Sequence, residues 1–79
     1  MNLIWVTNAK YLGDYRLQIT FNDGTVKIFD GAELVAQNAI FRPLQSMARF
    51  RNFSLDDWTV TWGDIDIAPE YLYEYGAPV

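Results

Sequence analysis

The chain has no histidine and no cysteine. The first absence removes the usual general base at neutral pH and the commonest nitrogen ligand for metals. The second excludes disulfides, thiolate metal sites and a cysteine nucleophile. It fits a reducing compartment, and a cytoplasmic location is expected. No apolar run approaches the length of a membrane span, so no membrane partner is expected. Met1-Asn2-Leu3-Ile4-Trp5 has no basic stretch ahead of an apolar one, so no secretory signal is expected either. Basic residues are scarce: six Lys and Arg stand against ten Asp and Glu, and the net charge of −4 disfavours direct nucleic-acid binding.

What remains is a short, aromatic-rich chain. Its 79 residues make one small domain, 1–79. A composition 51% hydrophobic and 16% aromatic is enough to fill a core and unlike that of a disordered chain. A core this small is marginal and gains from association. An exposed edge strand or the last helix would serve a homodimer.

Leu3 to Thr7 reads as a first strand and Asn8 to Gly13 as a connection. Tyr15, Leu17, Ile19 and Phe21 alternate with polar residues, the period-two pattern of a half-buried strand. Asn22-Asp23-Gly24 is a hairpin signal, and Thr25 to Phe29 returns as the next strand, with Val26 and Ile28 on one side. Asp30, with Glu33 three residues on, is placed to cap a short helix from Ala32 to Gln37 that Asn38 closes. Ala39-Ile40-Phe41 reads as a brief extended piece. Pro43 to Phe50 reads as a second helix with Leu44, Met47 and Phe50 on one face.

Phe53 to Leu55 reads as a short strand and Asp56-Asp57 as a turn. Trp58, Val60 and Trp62 alternate with threonines as another half-buried strand. Ile65 and Ile67 are expected to pack under a bend whose acids, Asp64 and Asp66, point away. Pro69 to Tyr75 is a last helix that stops at Gly76. The expected class is α+β: a small, mainly antiparallel sheet with two or three short helices.

Asp14-Tyr15-Arg16-Leu17, Phe21-Asn22-Asp23-Gly24, Phe41-Arg42-Pro43-Leu44, Phe50 and the run from Trp62 to Tyr73 follow in order. This ordered set resembles a prokaryotic family of small domains of unknown function with the pattern DYxL…FxDG…FxPL…WxxGxDIxPExLY. The likeness covers about Val6 to Tyr73. It implies a small α+β domain with an antiparallel sheet. It also implies relatives that carry a helix-turn-helix domain after this one, and genes paired with a second small protein in toxin–antitoxin-like fashion. No helix-turn-helix follows before Val79. Gln45-Ser46 stands where relatives carry an acid after the Pro-Leu pair, and Phe53-Ser54-Leu55 replaces a valine-rich strand.

No catalytic residue, cofactor site or metal site is expected. Asp64 and Asp66, with Glu70 nearby, could pair as acid and base or supply oxygen ligands to a hard cation, but a chain this short hardly encloses a cleft, and their spacing does not match a calcium loop. Asp64 or Asp66 is expected instead to cap the helix starting at Pro69. Arg42, Arg49 and Arg51 form a basic segment, and no base follows it while six acids do. Tyr71 and Tyr75 share one side of the last helix and Tyr73 faces another. An exposed aromatic ringed by acids has the composition of a protein-binding hot spot. The candidate contacts are therefore Trp62, Asp64, Asp66, Glu70, Tyr73, Arg42, Arg49 and Arg51, and the expected partner is another small protein. The alternative is an accessory domain linked to nucleic-acid-binding proteins.

Overall fold

Local hairpins build the first sheet. In the computed structural model, which describes residues 3–56, 58–63 and 65–79, β1 (Val6–Gly13) pairs antiparallel with β2 (Arg16–Phe21). Asp14 and Tyr15 turn between them, both at positive φ (53° and 63°), as a tight two-residue hairpin requires. β2 pairs with β3 (Val26–Asp30) through the Asn22-Asp23-Gly24 turn that the sequence signals. There Phe21 N–H donates to the Thr25 carbonyl (2.9 Å), and Gly24 takes a φ of 87°. A two-residue strand, β7 (Ala77–Pro78), lines the outer edge of β3, giving the order β1-β2-β3-β7.

The first strand differs from expectation. It starts at Val6, and Asn8 to Gly13 is strand rather than connection. Asn8 and Lys10 face solvent while Ala9 and Tyr11 pack against the core, so the alternation is carried by a small residue and a phenol and is weak in sequence. Ahead of β1, Asn22 stands in for a strand. Its side chain accepts from Trp5 N–H and donates to the Leu3 carbonyl, both at 2.9 Å.

The helices come next. α1 (Ala32–Gln37) begins after Gly31, with Asp30 Oδ1 accepting from Ala32 N–H at 3.0 Å. Asp30 lies one residue too early for a capping box with Glu33, so it forms a two-residue side-chain turn instead. Asn38 closes the helix through its N–H to the Leu34 carbonyl. Ala39–Gln45 is a 3-10 segment, followed by α2 (Met47–Phe50). This corrects both the extended reading of Ala39-Ile40-Phe41 and the single helix from Pro43. Asn38 Oδ1 accepts from Ile40 N–H (3.0 Å) and starts the 3-10 turn, Pro43 sits inside it, and the extended ψ of Ser46 (119°) separates it from α2.

The second sheet has the order β4-β5-β6: Ser54–Asp56, Thr59–Trp62 and Ile65–Ile67, all antiparallel. The antiparallel pairing expected of one sheet is thus divided between two. Three readings change here. Asp56 is strand rather than turn, and Asp57 lies outside the described residues. Trp58 is not part of a half-buried strand: it sits at the hairpin end beside the Asp56↔Thr59 pair, at φ 72° and 66% exposed. Ile65 to Ile67 is a paired strand rather than a bend, with Asp66 outward and Ile67 buried. α3 (Pro69–Tyr75) then leads to Gly76 and β7.

One core joins the two sheets and the helices. Leu17, Ile19 and Phe21 from β2, Phe29 from β3, Val35, Leu44 and Phe50 from the helical segments, Val60 and Trp62 from β5 and Leu72 from α3 are all buried in it. Val6 N–H donates to the Trp58 carbonyl (2.9 Å), tying the start of β1 to the second sheet. The Thr59 hydroxyl donates to the Ile67 carbonyl inside that sheet. Among the described residues, no buried side-chain polar atom lacks a hydrogen-bond partner.

Candidate functional site

The rings of α3 divide by helical spacing. Leu72 points straight into the core. Tyr73, one residue on, lays its ring edge-on to Phe21 (4.9 Å between centroids) and donates its hydroxyl to Asp23 Oδ2 at 3.0 Å. Lys27 Nζ lies 4.2 Å from the centre of the same ring and also donates to the Tyr73 carbonyl. Asp23 is held ionised below its ordinary range. The Thr25 N–H, at 2.9 Å, is the first cause, the Thr25 side chain the next, and the Tyr73 hydroxyl adds to them. Tyr73 is therefore a clasp between the β2–β3 hairpin and α3.

Tyr71 and Tyr75 take the other side, one helical turn apart, with ring centroids at 4.5 Å. Tyr75 is 62% exposed and Tyr71 37%. Tyr71 also meets Phe29 edge-on at 6.0 Å, which anchors the pair to the core while leaving its outer faces to solvent. Beside Tyr71, an open groove of about 200 Å³ runs between α1, the 3-10 segment, β6 and the start of α3. Leu34, Phe41, Ile67 and Ala68 make its apolar floor, and Asp66 and Asn38 stand at its rim. A wider hollow of about 440 Å³ adjoins it, sharing Leu34, Asn38 and Tyr71 and adding Glu33, Gln37 and Ala39.

The candidate contacts read from sequence separate in this geometry. Asp66 lines the groove, and Glu70 is exposed in the first turn of α3, next to Tyr71 in the chain. Asp66 does not cap α3: Ala68 occupies the cap position without a side-chain bond, because Asp66 is held in β6 facing solvent. Asp64 lies outside the described residues. Trp62 is corrected from contact to core. It is 7% exposed, its indole N–H donates to the Phe50 carbonyl at 2.7 Å, and its ring packs on that of Phe50. Tyr73 is corrected likewise from an exposed aromatic to the half-buried clasp. Arg42 on the 3-10 segment, Arg49 on α2 and Arg51 at its end are all exposed, and none lines the groove.

The sequence reading missed Leu34, Phe41, Tyr71 and Tyr75 as surface-forming residues. The shared side of Tyr71 and Tyr75 was visible in their spacing, but which side faces out was not. A second aromatic surface was missed too: Trp58 packs on Trp5 with centroids 5.6 Å apart.

The groove and the hollow beside it together offer apolar contact, the Tyr71 phenol, the carboxylates of Asp66 and Glu33, and amide groups. Groups of these kinds suit contact by shape and charge rather than bond-making chemistry. Among the described residues, no group of three or more acidic side chains gathers to hold a metal ion. No helix among them is long and apolar enough to cross a membrane.

No curated protein and no solved structure matches the chain. A family model does, over residues 6–78, a span running from the first residue of β1 into β7. The chain belongs to the family described as "Protein of unknown function (DUF2442)".

Proposed function

We propose that this protein is a binding module for another small protein, and that the groove between α1 and α3, with the Tyr71–Tyr75 pair beside it, is the contact surface. The observation that carries the reading is the close, tilted tyrosine pair, anchored on Phe29 yet open on its outer side, next to an apolar-floored groove. A rigid aromatic anchor beside an apolar pocket with a polar rim is the arrangement from which interface hot spots are made. Asp66 and Glu70 keep the role expected of them as flanking contacts. The two-gene pairing implied by the resemblance gives the partner's expected size. A role for this chain in such a pair, as its antitoxin-like member, is part of the proposal.

Affinity capture from native lysate at moderate salt tests it, with the wild-type chain and Y71A/Y75A run in parallel. One small protein retained in near-equal amount by the wild type and lost from the variant is the expected result. Equal retention by both would remove the groove from the interface.

A further inference from the structure

We infer that the occupant of this groove is a basic segment of the partner, with a Lys or Arg side chain laid over the Tyr71–Tyr75 pair and an adjoining apolar side chain on the floor of Leu34, Phe41 and Ile67. The inference rests on the protein-binding reading above and deepens it.

Three observations point the same way. The first is charge: Glu33 and Asp66 line the two hollows, Glu70 and Glu74 lie exposed along the same helix as the tyrosines, and among the described residues no basic side chain lines either hollow. Arg42 follows Phe41 in the chain but is not part of the lining. A basic segment complements that rim, and an acidic one is repelled. The second is the rings. An aromatic face attracts a cation, and α3 already does this once, where Lys27 Nζ sits 4.2 Å from the centre of Tyr73. The Tyr71–Tyr75 pair offers a second such surface with no cation of this chain assigned to it among the described residues. The third is the net charge of −4, which sets a long-range repulsion between two copies and an attraction toward a basic partner.

The test is a selection of short phage-displayed random peptides on the immobilised full chain. Selected peptides are then synthesised with a fluorophore and titrated by anisotropy against wild type, Y71A/Y75A and E33Q/D66N. Glu33, Asp66 and Tyr75 are exposed and Tyr71 is partly so, and melting curves check that each variant is folded before it is titrated. The expected peptides carry Lys or Arg beside Leu or Phe. Their affinity is expected to fall about tenfold in Y71A/Y75A, about threefold in E33Q/D66N, and steadily with added salt. Neutral or acidic peptides that still need Tyr71 and Tyr75 would overturn the basic occupant and leave the groove as a protein-binding surface. Peptides indifferent to both variants, or no selected peptide at all, would overturn the occupant and the surface together. A dimer in sedimentation that Y71A/Y75A dissolves would give the groove to a second copy and overturn the inference.

Discussion

Gly76 has an ordinary backbone, φ −71° and ψ 145°, that any residue can adopt. Its need for glycine is steric. A Cβ there would meet the Leu72 carbonyl oxygen at 2.7 Å and Lys27 Cβ at 2.9 Å, because the chain leaves α3 directly over β3 to form β7. The oxygen belongs to the helix backbone and cannot swing away. Gly76→Ala is therefore expected to cost about 1–3 kcal/mol, the range for overpacking a close contact. Urea denaturation measures it; a loss of only a few tenths would mean that the end of α3 moves freely on β3. Gly24 and Gly63 are glycines for the other reason, at φ 87° and 78° with open space around them. Trp58 holds the same left-handed region at 72° without being glycine, a conformation that costs roughly 1–2 kcal/mol in an L-residue. Its ring recovers part of that against Trp5.

At the scale of the element, α3 carries two jobs on two faces, and single substitutions separate them. Tyr73→Ala removes the edge-on contact with Phe21, the surface under Lys27 and the hydroxyl bond to Asp23. It is expected to lower stability by about 2–4 kcal/mol, within the range for truncating a packed ring that is only half buried. Tyr75→Ala removes a largely exposed ring and is expected to cost under about 1 kcal/mol. Thermal melts of the two variants check the contrast, and a Tyr75→Ala loss equal to that of Tyr73→Ala would mean that the faces are wrongly assigned. The same helix shows how far the sequence could be read. Its start at Pro69 and the pairing of Tyr71 with Tyr75 are local consequences of ring geometry and helical period. Its orientation is not local. Tyr73 turns inward because Phe21, Asp23 and Lys27, some 50 residues earlier, receive it. The β2–β3 hairpin was legible for the opposite reason, since Asn22-Asp23-Gly24 decides its turn within a few residues. Asn8 to Gly13 and the 3-10 segment were not: the strand face of the one holds Ala9, and the other depends on the Asn38 side chain catching Ile40 N–H. The groove was least legible, because α1, the 3-10 segment, β6 and α3 each supply a wall. Only its acidic and aromatic composition near the C-terminus could be seen in the chain.

For the whole molecule, the question is what makes two small sheets one structure. The sheets of four and three strands share one buried core. Phe50 is the joint. Its ring meets Tyr11 and Tyr15 of the first sheet and its turn at 6.3 and 5.1 Å, and Trp62 of the second at 5.4 Å. Its carbonyl accepts the Trp62 indole N–H, and Gly31 passes close enough that a Cβ there would lie 3.3 Å from the ring. A chain of 79 residues has a total stability of roughly 4–12 kcal/mol. Phe50→Ala is expected to cost about 3–5 kcal/mol, a large part of that total, because the surrounding rings come from different elements and cannot all close on the gap. The loss should be shared by both sheets. Followed by tryptophan fluorescence, which reports Trp62 of the second sheet as well as Trp5 and Trp58, and by far-ultraviolet circular dichroism, which reports the backbone, the urea transitions of the variant should coincide at a lower midpoint. If the fluorescence transition moved while the backbone transition stayed in place, the first sheet would be stable without the second. Phe50 would then be a local contact of the second sheet, and the groove, whose walls rest on both sheets, would lack a common foundation.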